Sequence, residues 1–137
     1  MGILIRPAKA EDLNFIFDSW MKSWRVSKYA GTVPNHLFYE VQRTLIEDLL
    51  GRGADIIIAY PENHENAILG WACGEEKDGA TVLHYLYIKD PYLGLGIPAR
   101  LISELRGSSP GFVTHKLPNK ELTAWRHVPE MARRKSL

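Results

Sequence analysis

Gly94 and Gly96 are the residues of this chain whose type and spacing point most directly to chemistry. They stand between an apolar run that ends at Ile88 and the repeat Ile97, Leu101, Ile102, Leu105, whose spacing predicts a helix. A strand that breaks into glycines and then opens a helix is suited to holding phosphate. Glycines let the main chain come close to a ligand, and the first helical turn supplies unpaired N–H groups and the positive end of a dipole. The next candidates are bases and acids. His84 and Tyr87 lie on the run that feeds the glycine loop, and His115 lies on the apolar segment beyond the helix. A histidine titrating near neutrality can take a proton from an attacking group, and a tyrosine can return one to a leaving group. Glu75 and Glu76, at the end of the preceding apolar run, could act through a water or simply close a solvated hairpin.

The string Tyr87-Ile-Lys-Asp-Pro-Tyr-Leu-Gly-Leu-Gly-Ile-Pro-Ala-Arg-Leu-Ile102 resembles the acyl-CoA-binding motif of the GCN5-related N-acetyltransferase (GNAT) superfamily. Pro91 and Tyr92 match that motif's Pro and Tyr, Gly96 its central Gly, and Leu101 its helix Leu. Leu93 stands where the family usually has Arg or Gln, and Pro98 where it has Gly or Ala. Leu93 brings no polar side chain to a pyrophosphate. Pro98 lacks an N–H, although proline suits a first helical turn.

The resemblance implies acetyl-CoA as co-substrate, with Leu93, Gly94, Leu95, Gly96, Ile97 and Pro98 around its phosphates. Leu86, Tyr87 and Ile88 would line the pantetheine arm, mostly through main-chain groups. Asn119 faintly echoes a residue that opens a later helix of the family, and the Tyr that normally follows is absent. The implied reaction is direct attack of an amine on the thioester, with an oxyanion donor in the main chain near Tyr87 and Ile88 and no covalent nucleophile. Trp24, Ser27, Lys28 and Tyr29 fall where the family recognises its acceptor. The implied function is N-acetyl transfer to a primary amine; a catalytically silent acyl-CoA-binding or protein-interaction module of the same fold is the alternative.

The elements that must position these residues follow from periodicity. Ile3–Ile5 reads as a strand, and Leu13, Ile16, Phe17, Trp20, Met21 and Trp24 as one face of a helix. Residues 26–35 read as a loop, and Leu37, Val41, Leu45 and Leu49 as a second helix closed by Gly51 and Gly53. Strands are expected at residues 54–60, 67–74, 80–88 and 112–117, with a short helix near residues 121–126. The order β, α, α, β, β, β, α, β predicts an α/β (α+β) fold with a mixed, mainly antiparallel sheet flanked by helices, and it matches the skeleton of that superfamily.

With 137 residues and 45% hydrophobic content the chain suffices for one domain, 1–137, with its core in 3–117. The net charge of +1 gives no general pull toward nucleic acid or membrane. From Lys116 onward six Lys/Arg face two acidic residues, and this basic end is not interleaved with aromatics as a nucleic-acid face would be. A lone Cys73 forms no internal disulfide, and the five histidines show no ligand spacing, so no metal is expected. No apolar stretch approaches a membrane span and no signal-peptide pattern opens the chain, which predicts a cytoplasmic protein. A short C-terminal part would leave the strand at 112–117 as an open sheet edge, and a homodimer or partner is expected there.

Overall fold

The computed structural model describes residues 2–26, 34–77, 80–106, 111–115, 117, 119, 122 and 125–129. Its strands are β1 (Ile3–Pro7), β2 (Asp55–Pro61), β3 (Gly70–Lys77), β4 (Ala80–Ile88), β5 (Phe112–Val113) and β6 (Arg126–His127). Its helices are α1 (Leu13–Arg25), α2 (Asn35–Gly51) and α3 (Ile97–Arg106). The six strands form one sheet in sequential order. β1 to β4 are antiparallel, and β5 and β6 join parallel to β4. The predicted element order and mixed sheet are therefore present, and β6 is an addition to them.

Strand alternation splits the core into two layers. Trp71, Cys73 and Tyr85 face α1 and α2, where they meet Ile16, Trp20, Ile46 and Leu49. Ala72, Leu83, Leu86 and Ile88 face α3, where they meet Ile97, Leu101 and Ile102. Burial of Trp20 and Ile16 matches the predicted stripe of α1. In α2 the buried residues are Phe38, Ile46 and Leu49, whereas Leu37 and Val41 are exposed. A strict spacing of four advances about 40° around the helix at each step, so the row drifts by about 120° from Leu49 to Leu37 and carries Leu37 and Val41 off the core-facing side.

Four expectations are corrected. The third strand runs over Gly70–Lys77 and not from residue 67, because residues 61–69 carry the turn. The strand expected at 112–117 pairs only at Phe112 and Val113. Its outer side is covered by β6, so it is not the edge; among the described residues the edge on that side is a two-residue strand of exposed Arg126 and His127. A short, basic edge is one of the ways sheets avoid unwanted pairing. Arg126 is accordingly strand and not the end of a helix, and most of 118–124 lies outside the described residues.

β3 and β4 approach closely beside the glycine loop. A Cβ on Gly70 would lie 2.7 Å from the Tyr87 carbonyl oxygen and 2.7 Å from Ile88 Cδ1. Gly70→Val should therefore push the end of β4 outward and cost about 1–3 kcal/mol, read as a lower Tm in thermal denaturation. An unchanged Tm would show that the strands do not pack as described.

Candidate functional site

The site begins with a break in the ladder. Cys73 pairs with Tyr85 and Gly74 with Leu83, which leaves His84 as an extra residue, a bulge in β4. The bulge turns Leu83 and Leu86 toward α3 while Tyr85 faces α1. Past it, Lys89 N–H donates to Leu69 C=O at 2.9 Å, and with the pairs Trp71↔Tyr87 and Cys73↔Tyr85 this fixes which main-chain groups point where. In an antiparallel ladder the alternate residues face the other way, so the N–H and C=O of Leu86 and Ile88 face away from β3. On that side β5 pairs only with Val82 and Leu83, and the final rung is Thr114 N–H to Leu83 C=O at 3.0 Å. The two strands part there. Among the described residues no strand covers the Leu86–Ile88 edge.

The open edge leads through a 3-10 turn, Asp90–Tyr92, into the glycine loop. Gly94 and Gly96 have φ of +87° and +75°, in the left-handed region that favours glycine, and a Cβ added to either would point into open space. α3 begins at Ile97 with Pro98 in its first turn and no acidic residue there. Gly96, Ile97 and Ala99 supply the N–H groups that Pro98 cannot. Leu93 and Leu95, 57% and 52% exposed, flank the loop with apolar surface. Asn119 is partly buried, and its carbonyl accepts from Leu122 N–H at 3.0 Å.

On the opposite face, a cavity of about 610 Å³ lies between α1 and the end of β4. Phe15, Ser19, Ser23 and Val26 line it from the helix side, and Tyr87, Lys89, Asp90 and Pro91 from the other. The Tyr87 ring meets Phe15 edge-on at 6.1 Å. Its hydroxyl is held above the ordinary tyrosine range by burial and by the charges of Asp90 and Asp18, so it stays protonated. Tyr85 is bound through its hydroxyl to Ser23 Oγ at 2.7 Å and is pushed up to about 12, mainly by burial. Trp24 turns inward, its ring 4.8 Å from His115 and 6.1 Å from Tyr85. It packs against the core and is not among the residues that line the cavity. Ser27, Lys28 and Tyr29 lie outside the described residues, directly after Val26 on the cavity rim.

The two histidines are brought together. His84 is fully buried, not half-exposed as a surface strand position would be, and His115 is 5% exposed. Thr114 Oγ1 lies 3.0 Å from Nδ1 of each. Burial holds both rings neutral, each lowered to about 4. Glu75, a candidate for a solvated hairpin end, is instead gripped by Arg52 through Nε to Oε2 at 3.2 Å and Nη2 to Oε1 at 3.0 Å. Sequence reasoning missed Thr114 and Arg52, since nothing local marks a hydroxyl or a guanidinium whose partner lies 23 or more residues away. Cys73 is buried with its thiol pushed far up by desolvation, which makes it an inert strand residue.

This sheet, with its flanking helices, superposes on those of solved acetyltransferases. A PaiA N-acetyltransferase from Thermoplasma acidophilum, in complex with coenzyme A, superposes with a TM-score of 0.56 at 21% identity over 76% of this chain and 69% of that one. The chain has the GNAT fold. A histone acetyltransferase HPA2 and related acetyltransferase from Corynebacterium glutamicum gives a TM-score of 0.59 at 15% identity, covering 76% of this chain and 70% of the other. A GNAT superfamily phosphinothricin acetyltransferase from Sinorhizobium meliloti, in complex with AcCoA, gives 0.52 at 24% identity, covering 77% and 58%. The sequence itself matches no protein-family model and none of the curated proteins. Among the described residues no helix is long and apolar enough to cross a membrane.

Proposed function

We propose that this GNAT-fold chain transfers an acetyl group from acetyl-CoA to a primary amine by direct attack. The observation that carries the reading is continuity: the uncovered Leu86–Ile88 edge runs straight into the two positive-φ glycines and the start of α3. An extended pantetheine arm carries amides that add to such an edge as a strand does. Its phosphates then meet the N–H groups of Gly96, Ile97 and Ala99. The thioester carbonyl comes to lie along this edge, where the main-chain N–H of Leu86 or Ile88 can receive the developing oxyanion.

The amine enters through the cavity of α1 and β4, with Phe15 and Tyr87 among its walls. His84 or His115 is the base, and the protonated Tyr87 hydroxyl gives its proton to the departing thiolate. Tyr87→Phe should lower kcat by about 100-fold while leaving the KM for acetyl-CoA unchanged. An unaltered kcat removes Tyr87 from the chemistry. Asn119 is carried forward as a proposed further contact of the cofactor.

The reading is tested by acetyl-CoA consumption over a panel of amines: a lysine peptide, a free amino acid, a polyamine and an aminoglycoside. Turnover with one of them supports transfer. Binding of acetyl-CoA with no turnover favours the second reading, a silent acyl-CoA-binding or interaction module, for which the apolar Leu93 and the N–H-less Pro98 speak.

A further inference from the structure

The two histidines, one threonine and one glutamate form a buried row whose proton positions can be deduced. Glu75 is fixed by Arg52, so both its oxygens can only accept. His84 Nε2 lies 3.5 Å from Glu75 Oε2, fully buried and with no hydrogen bond made elsewhere. A ring lone pair aimed at a carboxylate repels it, whereas an N–H is attracted, so His84 carries its proton on Nε2. A neutral imidazole has one N–H, and its Nδ1 must then accept. The Thr114 hydroxyl donates to it across 3.0 Å. That hydroxyl has a single proton, and toward His115 Nδ1, also at 3.0 Å, it can only accept. His115 must therefore be protonated on Nδ1. Its remaining nitrogen, Nε2, is left with a lone pair.

We propose that Glu75, His84 and Thr114 are positioning residues that hold His115 in the Nδ1–H tautomer, so that His115 Nε2 is the base of the site. This rests on the acetyltransferase reading and decides within it between the two histidines. His84 has both ring nitrogens committed and no exposure, and it acts through Thr114. His115 follows Thr114, the last residue to reach β4, and so stands where the strands part. Its ring is caged edge-on by Trp24 at 4.8 Å and by Tyr85 and Trp20 at 5.7 Å each. In the step itself the amine nitrogen forms a bond to the thioester carbonyl carbon, the C–S bond breaks, and the amine proton passes to His115 Nε2. The thiolate leaves as coenzyme A, protonated by Tyr87. The logic is that of a catalytic base whose tautomer is set by the group bonded to its other nitrogen.

The test is nitrogen-15 NMR of the histidine rings in the free protein at neutral pH, which needs no acceptor. The expected result is His115 protonated on Nδ1 and His84 on Nε2. In Thr114→Val, His115 should lose its single tautomer and become a mixture, and Thr114→Ser should restore it. His115 protonated on Nε2, or a Thr114→Val spectrum identical to wild type, overturns the proposal. Where an amine of the panel is turned over, Thr114→Val should lower kcat about tenfold and leave the KM for acetyl-CoA unchanged, with recovery in Thr114→Ser. The two failures are separable: no turnover with any amine removes the enzymatic reading, and the wrong tautomer removes this one even in an active enzyme.

Discussion

Lowering the pH from 6.5 to 4 should strip this protein of a large part of its stability. His84 and His115 are neutral and buried, each lowered from 6.5 to about 4, in both cases chiefly by desolvation. The unfolded chain leaves each free to titrate normally and so binds more protons than the native state between those two values. Stability is therefore full above pH 6.5, falls as pH drops toward 4, and levels off below it. The shift corresponds to about 3 kcal/mol for each histidine, against a total of about 5–15 kcal/mol for an ordinary domain. Glu75 beside His84 opposes the effect, while Arg52 and Lys77 reinforce it. For His115 the charges of His84 and His127 reinforce it, while a hydrogen bond to the His84 main chain opposes it. Asp12, held below the usual carboxylate range by Arg6, loses its contribution only at lower pH, so the two windows are distinct. Chemical denaturation across this range should show the decline, and His84→Gln should flatten it. A stability constant from pH 6.5 to 4 would mean that these rings are not buried neutral.

Gly96→Glu should abolish acetyl-CoA binding, with an affinity loss of at least about 100-fold, near 3 kcal/mol. Two effects act together. A φ of +75° strains any residue with a Cβ, by about 1–2 kcal/mol, and pulls the loop out of shape. The carboxylate then occupies the start of α3, where the phosphates are to sit, and repels them. A Cβ at Gly96 would point into open space, which leaves the core untouched, so the variant should remain folded. Retained affinity in Gly96→Glu would place the cofactor elsewhere.

How much of this was legible in the sequence depends on the range of the interaction. The glycine loop is local: its strand, its turn and its helix follow one another directly between Ala80 and Arg106, and each is marked by its own residue types. The stripe of α1 was legible for the same reason. The bulge at His84 was not, because Leu83, His84 and Tyr85 read as strand whether or not one of them is extra. Nor was β6, since Arg126 and His127 carry no apolar signature and gain their order only by pairing with Phe112 and Val113. Glu75 looked like a solvated turn residue because its partner Arg52 is brought to it by the end of α2, a contact made in three dimensions and not along the chain. His84 and His115 were visible as candidates. Their junction through Thr114 was not, because the parallel pairing of β4 and β5 creates it.

A calorimetric titration of the purified protein with acetyl-CoA tests the central claim most directly, for it needs no acceptor. The account predicts one-to-one binding in the micromolar range, lost in Gly96→Glu. Absence of binding up to millimolar acetyl-CoA by a folded protein would contradict it, and would mean that the open edge of β4 and the glycine loop do not form a cofactor site.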